Sequence, residues 1–108
     1  MLSREKTRKF ARVRPDHGGR LELKLSAASD TRAEYVLTLF TPEAELSSRV
    51  TIDASADRLE LSAFQGGVAP AWLESYAQAL LRSVLRTKNS GDGSWPRRLT
   101  RWRPAPKP

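Results

Sequence analysis

The chain contains no cysteine, which excludes disulfides, thiolate metal sites and cysteine nucleophiles together. Histidine is almost as scarce: His17 is the only one. One imidazole and scattered carboxylates fall short of the three or four ligands that a transition-metal site uses, so no metal is expected. No apolar run approaches the roughly 18 residues needed to span a bilayer, and no membrane partner is expected. Met1-Leu2-Ser3-Arg4-Glu5-Lys6 is charged, with no apolar stretch behind it, so it does not read as a secretory signal, and a cytoplasmic location is the default expectation.

Catalytic patterns are missing as well. Gly18-Gly19 and Gly66-Gly67 are lone pairs, outside any Walker or dinucleotide fingerprint. Asp16 beside His17 has the composition of a base and its orienter, but no third group can be located, and a glycine turn accounts for both residues. Asp53 and Asp57 flank a turn whose Ala54-Ser55-Ala56 offers no apolar pocket to raise a carboxyl pKa. The expectation is a protein without catalytic residues and without a cofactor.

What the sequence does have is an uneven distribution of charge. The net charge of +7 resides at the two ends. Residues 1–20 carry seven basic side chains against Glu5 and Asp16, and residues 86–108 carry seven against Asp92. Residues 21–85 carry five basic against nine acidic side chains. Basic ends on a mildly acidic body suit a polyanionic partner, and they also serve simply to solubilise.

Length allows one domain with one core, and a chain this short buries only about two-thirds of its unfolded surface. Residues 1–9 show no apolar face and read as a basic N-terminal arm. Residues 10–88 read as a single α+β domain. Phe10 to Arg14 is a short strand closed by Pro15, and Asp16 to Gly19 is a turn. Leu21, Leu23 and Leu25 alternate with Glu22, Lys24 and Ser26, the period of a half-buried strand. Glu34 to Phe40 is apolar on both faces, which predicts a central strand. Leu46, Ser48, Val50 and Ile52 share one face of the next strand, and Leu59, Leu61 and Ala63 one face of the last. After Gly66-Gly67 and Pro70, the residues Leu73, Tyr76, Ala77, Leu80, Leu81, Val84 and Leu85 recur at three- and four-residue steps, the stripe of an amphipathic helix. The fold class is therefore α+β: an antiparallel β-meander of four to five strands with one C-terminal helix on one face and basic tails at both ends. Residues 89–108, with four of the seven prolines and no period, read as a basic Pro/Trp/Arg-rich tail.

The functional signal lies in that tail. Trp95, Arg97, Arg98, Arg101, Trp102 and Arg103 fall within nine positions. Guanidinium groups make forked contacts with phosphate, and indole rings stack on bases. The same tryptophans could instead fold back on the body, with Val36, Phe40 and Phe64 of the second sheet face as partners. At the other end Arg8, Arg12 and Arg14 flank Phe10 on one side of the first strand, either a second phosphate track or a charged edge that resists aggregation. Glu22 and Glu60 share that sheet face with Lys24 and Arg49, which argues against a uniform RNA platform. The leading expectation is a non-enzymatic nucleic-acid-binding domain, directed mainly at the phosphate backbone and at single strands rather than sequence-specific duplex. The alternative is a protein-interaction or assembly module, a homodimer or adaptor with solvating basic tails.

Overall fold

The computed structural model describes residues 15–90 and 94–106. They form β1 (Gly19–Ala28), β2 (Arg32–Phe40), β3 (Glu45–Asp53), β4 (Arg58–Leu61), α1 (Ala71–Ser90) and β5 (Arg98–Arg103). The five strands make one antiparallel sheet in the order β4-β3-β2-β1-β5, with α1 on one face. Among the described residues no helix is long and apolar enough to cross a membrane.

Period-two alternation sets which side of each strand is buried. Leu21 and Leu23 of β1, Ala33, Tyr35, Leu37 and Leu39 of β2, and Leu46, Val50 and Ile52 of β3 are buried together with Leu73, Ala77, Leu81, Val84 and Leu85 of α1. Tyr76 and Leu80 flank this stripe half-buried. Strand β2, with apolar residues on both sides, is central in the sheet. Ser48 takes a core-facing position on β3 because its hydroxyl is satisfied: Oγ donates to the Ser62 carbonyl at 2.8 Å. The backbone N–H of Arg49 in turn donates to Ser62 Oγ at 2.9 Å.

Each hairpin is closed by a short polar side chain. Ser29 Oγ accepts from the Arg32 N–H in the β1–β2 turn. Thr41 Oγ1 accepts from the N–H groups of Glu43 and Ala44 in the β2–β3 turn. In the β3–β4 turn Asp53 Oδ1 accepts from Ser55 Oγ at 2.7 Å and from the N–H groups of Ser55 and Ala56. These hydrogen bonds, the Ser55 hydroxyl first among them, hold the Asp53 carboxyl below its ordinary pKa. The Pro70 carbonyl accepts from the N–H groups of Leu73 and Glu74, so proline stands at the mouth of α1 rather than inside its first turn. Gly19 lets that helix end approach β1, since a Cβ there would press into the Leu73 methyl carbons at 2.7 and 2.8 Å.

The C-terminal segment and the helix end differ from the sequence-based expectation. The predicted strand at Phe10 to Arg14, with Arg8, Arg12 and Arg14, lies outside the described residues. A fifth strand comes from the segment expected as a C-terminal tail: Arg98–Arg103 pairs antiparallel with β1, from Lys24↔Arg98 to Gly19↔Arg103. The helix also runs two residues past the expected boundary at 88.

Candidate nucleic-acid interface

Strand β5 positions Arg98, Arg101, Trp102 and Arg103, four of the basic and aromatic residues that the sequence singles out, and its alternation divides them. Leu99 lies opposite the core residue Leu23, and Arg101 opposite Leu21. Leu99, Arg101 and Arg103 thus lie on the side that carries α1, and Leu99 packs half-buried against the core. Arg98, Thr100 and Trp102 lie on the open side, level with Lys24, Glu22 and Arg20 of β1. The four arginines do not form one row. Arg97 precedes the strand; its carbonyl accepts from the Leu25 N–H at 2.9 Å, while its side chain is exposed.

Both tryptophans are tied to the body. Trp95 Nε1 donates to the Ser29 carbonyl at 2.8 Å, and its half-buried ring packs on the rim of the core, under the Lys88 ammonium 4.9 Å from the ring centroid. Next to it, Tyr35 Oη donates to the Pro96 carbonyl at 2.7 Å. Burial pushes the Tyr35 phenol up to about 12, because the ionised form would lose its hydration. Trp102 Nε1 donates to the His17 carbonyl at 3.1 Å, and the two rings meet edge to face with centroids 5.3 Å apart. Even so, 43% of Trp102 is exposed. Neither ring docks on the Val36, Phe40 and Phe64 group. Phe64 packs against the helix-side core, Phe40 is buried on the opposite side of β2, and Val36 is exposed.

The arginines have different electrostatic surroundings. Arg98 Nη2 lies 2.6 Å from Glu22 Oε2, and the Lys24 ammonium lies 3.7 Å from Glu22 Oε1. Glu22 is thus a carboxylate held between two cations, its side chain 13% exposed against 61% for Arg98 and 57% for Lys24. Arg101 Nη1 donates to the Thr100 carbonyl. The Arg103 guanidinium lies 4.6 Å from the Tyr76 ring centroid, on the flank of the helix. Of Arg97, Arg98, Arg101 and Arg103, only Arg98 is paired with a carboxylate among the described residues.

The open face adds residues that the sequence-based candidate set lacks. Cross-strand register aligns Arg49, Val36, Lys24 and Arg98 in one row and Ser47, Thr38, Glu22 and Thr100 in the next. Arg20 lies between Phe40 and Trp102 in a third row. The strand pattern held this signal, since Arg20 and Lys24 fall at alternate positions opposite the leucines. What it lacked was the strand that brings Arg98 and Trp102 alongside.

Pairing of β1 with β5 also brings Gly18 and Gly19 beside Arg103 and Pro104. Gly18, at φ 75°, packs so closely under the Arg103 carbonyl and Pro104 that a Cβ there would collide with both. His17, Arg20, Trp102 and Arg103 form a single corner of the sheet. No protein-family model matches the chain, and no curated protein or solved structure matches it.

Proposed function

We propose that this protein is a non-enzymatic nucleic-acid-binding domain that grips the phosphate backbone of single strands at the corner where residues 15–20 meet Arg98–Arg103. The observation that carries the proposal is the β1–β5 pairing, which sets Arg20 and Lys24 level with Trp102 and Arg98. Arg20, Lys24 and Arg98 on the open face, with Arg101 and Arg103 over the edge, supply cations to a strand lying along β5. Trp102 supplies an exposed ring at one end, and Thr100 and Thr38 supply hydroxyl donors between. Arg8, Arg12 and Arg14, which lie outside the described residues, would add further phosphate contacts. Trp95 is a brace in this reading, because its N–H and ring are already used by the body.

A sheet face with one aromatic and dispersed cations suits an unpaired strand, whose bases can turn toward a ring, better than a duplex whose bases are already stacked. With about five phosphates engaged, the logarithm of the binding constant falls against log salt with a slope near −4. Fluorescence anisotropy with labelled single- and double-stranded oligonucleotides across a salt series tests this. Binding weaker than about 100 μM at about 50 mM salt overturns it.

A further inference from the structure

We propose that the β4 edge is a self-complementary interface through which two copies of this chain pair antiparallel, with Leu59 on the two-fold axis. Among the described residues the sheet has two unpaired edges, and they differ in chemistry. Along β5, Arg98, Arg101 and Arg103 would face like charges in a second copy, which disfavours self-pairing. Strand β4, Arg58-Leu59-Glu60-Leu61, is short, but it has no proline and no charge turned inward, and its two charges, Arg58 and Glu60, are of opposite sign.

The hydrogen-bond phase of β4 shows which groups are on offer. Ser62 N–H donates to the Arg49 carbonyl, so at this alternation the backbone groups of Glu60 and Arg58 also turn toward β3. Those of Leu59 and Leu61 turn outward. Two copies paired through Leu59 on the axis would exchange both Leu59 N–H···O=C bonds, with α-carbons about 5.5 Å apart. In that register Arg58 lies opposite Glu60 of the second copy, and Glu60 opposite Arg58, on the face away from the helices. Moving the register by two residues in one direction sets Glu60 against Glu60, and in the other Arg58 against Arg58. Charge therefore selects the Leu59 register.

The other face of the edge repeats the pattern. A cleft of about 440 Å³ between β4 and α1 has Leu59, Leu61 and Phe64 on its floor and Glu74, Gln78 and Arg82 along its helical wall. These three are spaced four residues apart on one helix face. A two-fold axis reverses the helix direction in the second copy, so the Glu74 end of one helix lies on the same side of the joint as the Arg82 end of the other. Among the described residues, Arg58, Glu60, Glu74 and Arg82 make no ion pair within the chain. A second copy supplies the missing counter-charge for Arg58 and Glu60, and isologous pairing closes the assembly at two.

Sedimentation velocity from about 1 to 100 μM chain should show a species of twice the chain mass emerging with concentration. Glu60→Arg sets arginine against arginine and should weaken association at least tenfold, while the swap Arg58→Glu with Glu60→Arg restores it, which separates the interface from a folding defect. Because the chain has no cysteine, Leu59→Cys offers one thiol only and should form an intermolecular disulfide on mild oxidation. Leu61→Cys, about 13 Å from its own equivalent in this register, should not. A monomer at 100 μM overturns the proposal. So does a dimer that survives Glu60→Arg, or one that crosslinks through Leu61→Cys in preference to Leu59→Cys.

Discussion

Tyr35 links the core to the C-terminal strand by a single hydroxyl. Its phenol is raised to about 12 by burial, and its O–H is bonded to the Pro96 carbonyl. Below pH 10 the phenol is protonated in both folded and unfolded chains and adds no pH dependence. Between about pH 10 and 12 the unfolded chain releases the proton first, so stability falls as pH rises through that window. Tyr35→Phe should flatten that alkaline decline and cost about 1 kcal/mol at neutral pH through the lost hydrogen bond. Urea midpoints for the two proteins at pH 7, 10 and 11.5 measure both effects, and parallel curves at high pH would contradict this assignment. Glu22 is the complementary residue on the open face. Held between Arg98 and Lys24, it screens two cations that the proposed interface uses. Glu22→Gln should tighten oligonucleotide binding several-fold at about 50 mM salt and steepen the salt slope by up to about 1. Unchanged or weaker binding by the folded variant would show that this face is not the one that meets phosphate.

Among the elements, β1 to β4 and α1 are legible in the sequence because each alternates against one continuous core. Leu21 and Leu23, Leu37 and Leu39, Val50 and Ile52 all face the stripe Leu73, Ala77 and Leu81, and a burial pattern of two or 3.6 follows. Strand β5 is hidden for a physical reason. It lies at the sheet edge, beyond full cover by the helix, so only Leu99 needs to be apolar on its inner side. Arg101 and Arg103 occupy the other inner positions, the latter against Tyr76. The usable signal was the proline spacing, since Pro96 and Pro104 bracket a proline-free run of the right length for one strand. The candidate site inherits this difficulty. Its residue types are plain in the sequence, but which arginines share a face depends on a strand that has almost no hydrophobic period. Attachment of β5 rests on Trp95 and Tyr35, and it can be weakened separately. Trp95→Ala should cost about 2 kcal/mol, less than a fully buried tryptophan because the ring is half-exposed. Hydrogen exchange should quicken at Leu99 and Arg101 more than at Leu37 or Val50. Equal acceleration in β5 and β2 would mean that the strand is an integral part of the cooperative core.

At the scale of the whole molecule the two proposals make one joint demand. Each chain has its cationic corner on the β5 side of the sheet, whereas self-pairing uses the opposite edge, β4. A dimer joined at β4 would be a sheet of ten strands with β5 at both ends, nine inter-strand spacings or about 43 Å apart. Within one corner, Trp102 and Arg98 are four residues apart on β5, about 13 Å, a length that a few nucleotides cover. Affinity should therefore rise with oligonucleotide length in two stages. The first ends once one corner is filled, at about 6–8 nucleotides. The second begins only when a strand is long enough to reach both corners of a dimer, and it reflects effective concentration rather than new contacts. Trp102→Ala should weaken the first stage by roughly 5- to 100-fold, the loss of one stacked base. Glu60→Arg should leave the first stage intact and abolish the second. A single smooth rise in the wild-type protein, or a second stage that persists in the Glu60→Arg monomer, would mean that the corners act independently and that the β4 edge has no part in binding long strands.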